Sequence, residues 1–419
     1  MKRMICVLLS VLLLAGICPC GAAFAAESLS TPVLEENPVY TGEPLEDGAL
    51  DEAAKATLTA DGYFTESKRL YRLIKKYLVS RRGTFTVPVA VKSQVKTKAQ
   101  AVALVEKWFA AASDDRLAEG STDGDYLRWA VSGMGYDAFT LDTHTGGFYC
   151  YTVQLHFLFY STAAQEQAVD KAVRQFIRDV KPQQLSEYQL LLAAYRYIAD
   201  GATYDTAAAA NPSKYPASFT AYGALCGGKC ACQGYCAAFY RICRELGLRV
   251  RIVSSDQKKG NHSWNLVDLG EACYFADLTW DDERFDDGEK GSRYFLVPLA
   301  TLQAADSAAG EHILDNNYYN TVDFNADWRS RFAQAAYNRK DGSAITNCAV
   351  VLQEAPYVRV LSPDGKQLVK GKDYLLKYSE NGRRLTVYGK GNYRGESVRL
   401  LTNRYAAAAK HGKIRISAS

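Results

Sequence analysis

A thiol, an imidazole and a carboxylate follow one another within a short stretch of this chain. The segment GGKCACQGYCAAF carries Cys232, NHSWNLVDLG carries His262, and CYFADLTWDD carries Asp277. Such a set suits acyl transfer through a thioester. The thiol attacks as its thiolate, the imidazole takes the thiol proton, and a carboxylate bonded to one ring nitrogen fixes the tautomer that leaves the other nitrogen free to do so. A cysteine at the first position of a helix gains further from the unpaired amides and dipole at that end, which favour the anion.

The flanking residues predict the elements that would hold these groups. Residues 232–246 read as a helix with Cys236, Phe239, Cys243 and Leu246 inward, stopped by Gly247. Strand-forming stretches follow at 249–253, 263–269, 273–278 and 294–297. His262 then begins one strand and Asp277 ends the next, so a hairpin sets them side by side. Upstream, Ser186 and Gln189 form a capping box for a helix with Tyr188, Leu191, Leu192, Tyr195 and Ile198 as its buried stripe. Helices first and strands after define an α+β fold class.

These blocks resemble the transglutaminase-like superfamily in its bacterial secreted branch. The residues that carry the likeness are Cys232-Gln233-Gly234-Tyr235, His262-Ser263-Trp264-Asn265 and Asp277-Leu278-Thr279-Trp280-Asp281-Asp282. Tyr204-Asp205 and Ala221-Tyr222-Gly223-Ala224-Leu225 add to it. The resemblance implies a papain-like core with Cys232 as nucleophile, His262 as base and Asp277 as orienting group. It leaves the reaction open, since the superfamily holds cross-linking acyltransferases, peptidases, amidases and members without activity. Tyr235, Trp264 and Trp280 are candidates for the substrate groove, with burial beside a core strand an equal reading for the two tryptophans. Cys230 and Cys236 stand where family members usually carry small residues; they are candidates for redox partners of Cys232, with the alternative that Cys236 and Cys243 are inert buried thiols. No upstream Gln or Trp offers itself as an oxyanion donor, which leaves the backbone amide of Cys232 for that role.

The remaining sequence sets this core in a longer chain. Residues 1–25 have a basic start, an apolar run and Ala23-Phe24-Ala25 before Ala26, the pattern of a cleaved signal peptide; lipidation at Cys18 is disfavoured by bulky Ile17. Residues 26–60 read as linker, and 61–183 as an N-terminal α+β domain. Within that domain Leu70, Ile74 and Leu78 mark one helix, Thr97 and Gln100 cap a second, and Tyr151, Val153, Leu155 and Phe157 alternate along a strand with His156 on its solvated face. The catalytic domain spans 184–340. Residues 341–404 form an all-β module that resembles Ig-like or MBG-like repeats of bacterial surface proteins, through Gly371-Lys372-Asp373-Tyr374 and Gly389-Lys390-Gly391-Asn392-Tyr393-Arg394-Gly395. Residues 405–419 are a tail.

Of 11 cysteines, three leave with the signal peptide, and if Cys232 stays a thiol the other seven cannot all pair within one chain. A zinc site from Cys226, Cys230, Cys232 and Cys236 lacks the Cys-x-x-Cys spacing. Asp281, Asp282, Asp286, Asp287 and Glu289 read as a solvated acidic loop, and His144, His312 and His411 as surface or loop residues. The formal charge of +4 includes Lys2 and Arg3, so no nucleic-acid partner is indicated.

The expectation is a secreted or cell-surface cysteine acyl-transfer enzyme acting on peptide or protein amides, with hydrolysis favoured over cross-linking because water is the abundant acceptor. It needs no cofactor or metal, and no membrane span remains after signal cleavage. The alternative is a catalytically silent surface protein that uses the same fold for binding.

Overall fold

The computed structural model describes residues 62–115, 118, 120–255, 262–282, 293–306, 310–314, 329–352, 357–379, 383–401 and 415–416. The readings for 1–60, for Asp286, Asp287 and Glu289, for His411 and for most of the tail lie outside these residues. The chain divides into two compact units between Gln165 and Glu166.

The first unit contains a four-stranded sheet in the order Phe64–Thr65, Thr84–Val91, Phe148–Phe159, Val131–Thr145. Alternation along the third of these buries Tyr151, Val153, Leu155 and Phe157 in one cluster with Leu70, Ile74 and Leu78 of the helix Lys68–Val79 and Trp108 and Phe109 of the helix Lys98–Ala112. The second helix opens on a capping box in which the Gln100 amide donates to Thr97 Oγ1 and the Thr97 amide donates to Gln100 Oε1, both at 3.2 Å. The long strand Val131–Thr145 has no counterpart in the sequence reading. Gly133 and Gly135 interrupt its alternation and its register with Phe148–Phe159 shifts three times. Its turn was nonetheless written in the sequence: Gly146 and Gly147 both take positive φ, as a two-residue hairpin between Thr145 and Phe148 requires.

The second unit holds an antiparallel sheet in the order Phe295–Val297, Cys273–Ala276, Ser263–Asp268, Arg249–Ser254. The helix Cys232–Glu245 packs against its last two strands. Asn265 Nδ2 locks that packing by donating to the Cys236 and Arg251 carbonyls, each at 3.2 Å. The helix Glu187–Gly201 lies on the Cys232 helix and buries Leu190, Leu191, Ala194, Tyr195 and Ile198. Its capping box forms as the sequence predicts, with the Gln189 amide donating to Ser186 Oγ at 3.2 Å. Both arrangements follow from amphipathic helices whose apolar stripes find cover only on a sheet or on each other.

The unit also holds two three-stranded sheets: Ala349–Val351, Tyr357–Leu361 and Arg415–Ile416 form one, Tyr374–Tyr378, Arg384–Gly389 and Glu396–Leu400 the other. They share a core that includes Ile345, Val350, Val358, Val360, Tyr374, Leu385 and Val387. Among the described residues, no helix is long and apolar enough to cross a membrane.

Candidate active site

Cys232 is the first residue of its helix, after Ala231 in extended conformation, and no side chain caps that end. The positive end of the helix dipole is therefore left for the Cys232 sulfur. Close packing places it there: a Cβ on Gly234 would stand 2.5 Å from the Ser218 carbonyl and 2.6 Å from Cys230 Cβ, so only glycine lets the first turn seat against its neighbours. The Ala231 amide donates to the same Ser218 carbonyl at 2.8 Å.

His262 meets Cys232 from the adjoining sheet. It lies one residue before the strand Ser263–Asp268 and is anchored by its backbone, whose amide donates to Ser255 Oγ at 2.9 Å and whose carbonyl accepts the Ser255 amide at 2.9 Å. Its Nε2 bonds Asp277 Oδ2 at 2.7 Å, and both residues are buried. With Nε2 so engaged, Nδ1 is the ring nitrogen left for the thiol. Asp277 follows the strand Cys273–Ala276 directly, and its Oδ1 accepts the Trp280 amide at 3.1 Å.

The electrostatics follow from this geometry. Burial opposes the charged form of all three groups, yet each is pushed toward it by its partners. At Cys232 the desolvation that raises the thiol is outweighed by the hydrogen bond and charge of His262 and by hydrogen bonds from Ser263, so its pKa is lowered. At His262 the burial penalty is outweighed by the charge and hydrogen bond of Asp277 and by Cys232, so the imidazolium is held well above the ordinary histidine value. Asp277, despite complete burial, is held below the usual carboxylate range by His262 and by a second histidine, His312. The arrangement favours a thiolate–imidazolium pair.

His312 corrects the sequence reading of a surface or loop residue without partners. It is fully buried, and its Nε2 lies 2.8 Å from the same Asp277 oxygen that takes His262. It sits 35 positions beyond Asp277 in a segment without periodicity, so nothing in the sequence places it at the site. Its ring packs edge-on against His262, Trp264 and Trp280 at centroid distances of 5.2, 4.9 and 4.6 Å.

The structure buries two of the groove candidates. Trp264 is fully buried, stacked 5.7 Å from the His262 ring, and Tyr235 is fully buried with its hydroxyl on the Asp282 carboxylate. Both support the site from within, because their large apolar surfaces are sealed in the packing of helix on sheet. Trp280 keeps partial exposure. The reading of Asp281 as part of a solvated acidic loop fails, whereas Asp282 keeps partial exposure. Asp281 is buried and accepts the Tyr195 hydroxyl at 2.5 Å and the Tyr294 amide at 3.1 Å. Burial, outweighing these hydrogen bonds, raises its carboxyl to about 7.

All eight cysteines from Cys150 to Cys348 are free thiols. Cys226, in the poor zinc set, is exposed, whereas Cys230 and Cys236 are buried. Among the described residues, the group whose ligand atoms do converge is His262, Asp277 and His312, within 4.8 Å of one another. The two histidine-to-Asp277 separations of 2.7 and 2.8 Å are hydrogen-bond lengths.

Comparison with known proteins finds one family match. Residues 174–280 match the family model described as the Transglutaminase-like superfamily, so the chain contains a transglutaminase-like domain that includes Cys232, His262 and Asp277. Among solved structures, one described as the crystal structure of a TGase is 17% identical, with a TM-score of 0.25, covering 46% of this chain and 51% of its own. The chain thus spans about half of that structure. No curated protein matches.

Proposed function

We propose that this chain is a secreted cysteine acyl-transfer enzyme that forms a thioester at Cys232 from a peptide or protein amide. The observation that supports this best is the buried His262–Asp277 pair at 2.7 Å, placed with Cys232 at an uncapped helix start. His262 Nδ1 takes the thiol proton and returns it to the leaving amine, Asp277 holds the ring, and the helix-start amides stabilise the oxyanion. Hydrolysis of the thioester is favoured over transfer to an amine, because water is the abundant acceptor. The signal-peptide pattern of residues 1–25 supports action outside the cytoplasm, on cell-surface or extracellular protein.

Iodoacetamide labelling followed by peptide mass spectrometry tests the reading. Cys232 is expected to alkylate at least tenfold faster than exposed Cys226 at pH 7, and Cys232→Ala to abolish acyl-enzyme formation from an activated ester. Equal rates at the two cysteines, together with full function in Cys232→Ala, would favour the silent binding protein instead. Product ratios with and without an added primary amine separate hydrolysis from transfer.

A further inference from the structure

Asp277 is held from two sides. The same oxygen, Oδ2, faces His262 Nε2 at 2.7 Å and His312 Nε2 at 2.8 Å, and all three residues are buried. A carboxylate oxygen accepts two such bonds readily, but only if both ring nitrogens carry a hydrogen. The contact therefore dictates the Nε2–H form of both histidines. For His262 that form leaves Nδ1 to face Cys232.

His312 is itself fixed. Its backbone amide donates to Asp306 Oδ2 at 2.8 Å, the same oxygen lies 3.4 Å from its Nδ1, and Gln303 Nε2 donates to its carbonyl at 3.3 Å. Asp306 and Gln303 belong to the end of the helix Leu299–Ala305 and its cap. Leu314, two residues beyond His312, bridges to Ser255, which also anchors the His262 backbone. The line Asp306, His312, Asp277, His262, Cys232 thus runs from a helix end to the thiol through one continuous set of contacts.

Resting on the proposed acyl-transfer reading, we infer that His312 is a second positioning residue, which holds the Asp277 carboxylate ionised and oriented so that His262 keeps the tautomer the Cys232 thiol requires. Without His312 the buried carboxylate would rest on His262 and the Trp280 amide alone; the second imidazole N–H offsets more of its desolvation cost and fixes Oδ2 from a second direction. His312 touches no reacting atom. Its effect reaches the thiol only through Asp277 and His262.

The test is the pH profile of Cys232 alkylation by iodoacetamide in the full chain, read by mass spectrometry. His312→Phe keeps an aromatic ring among Trp264, Trp280 and His262 but removes the donor. It should slow alkylation at pH 6–7 by about tenfold, the change expected when the thiol titrates about one pH unit higher. His312→Gln, whose Nε2 amide can donate to Asp277, should recover most of the loss. A merely structural role would lower the melting temperature in both variants and leave the profile in place, and that result overturns the inference. A wild type whose Cys232 is no more reactive than Cys226 would instead overturn the acyl-transfer reading. Should His312→Phe fail to fold, ring 15N spectra of the wild type decide: Nε2–H on both His262 and His312 is expected, and a bare Nε2 on His312 refutes the contact.

Discussion

Two pairs of like residues, each separated by four positions, end in opposite states around this site. Cys232 has a lowered thiol pKa, while Cys236, one turn along the same helix, is raised well above the ordinary value by burial and by the charges of Cys232 and Asp277. Asp277 is held below the carboxylate range, while Asp281 is raised to about 7. All four lie within the same helix-on-sheet packing, and burial pushes each toward its neutral form. What separates the charged members is histidine: Cys232 faces His262, Asp277 faces His262 and His312, and the chief partners of Asp281 and Cys236 are hydroxyls and a backbone amide. Ionisation here is decided by one turn of backbone and by the partner at its end, not by residue type.

Five substitutions test that contrast. Cys232→Ala is expected to lower acyl-transfer turnover by on the order of 10⁴-fold or more, whereas Cys236→Ala should keep it within a few-fold, measured with the same activated ester. Asp277→Asn comes next. It preserves shape but favours the wrong His262 tautomer, with an expected loss on the order of 10³-fold in kcat/KM.

Asp281→Asn should act on stability and not on the thiol. A carboxyl at about 7 in the folded chain and about 3.9 unfolded stabilises the protein below the unfolded value, and that contribution is lost as pH rises through about 7. Relative to wild type, the variant should gain a few kcal/mol in urea unfolding between pH 4 and 8, with the Cys232 alkylation rate unchanged. The smallest effect belongs to Cys243, fully buried two turns further along the helix, whose pKa is raised by burial alone. Cys243→Ala should cost about 1 kcal/mol through a small cavity and leave thiol chemistry as it was, read by thermal unfolding and labelling.

The lowered and raised groups also set opposite pH limits. The Asp277 contribution to stability is complete above the ordinary carboxylate value and is lost only as pH falls through its depressed one. His262, raised, contributes fully below the ordinary histidine value and loses that contribution as pH rises through its folded value.

Much of the site was legible because its elements follow local rules. The helix start at Cys232, the stop at Gly247 with φ of 82°, and the two capping boxes depend on residues a few positions apart. Strand-forming stretches set His262 and Asp277 at the adjoining ends of neighbouring strands. His312 was not legible, since its burial comes from packing between Trp264, Trp280 and a helix end, none of them near it in sequence. The placement of Tyr235 and Trp264 was open for a related reason: an aromatic beside a reactive residue lines a groove or backs it depending on which way the strand or helix faces. The motif does not record that choice. The strand Val131–Thr145 shows the same limit, with bulges that erase the period on which recognition depends.

The claim at the centre is that Cys232 is held as a thiolate by the His262–Asp277 pair. Measuring its alkylation rate from pH 4 to 10 in wild type and Asp277→Asn addresses this most directly. The account predicts a wild-type rate that has already reached a plateau below the ordinary thiol value of about 8.5, and a variant whose curve moves to higher pH. A wild-type curve rising only near that ordinary value, and unchanged by the substitution, would contradict it.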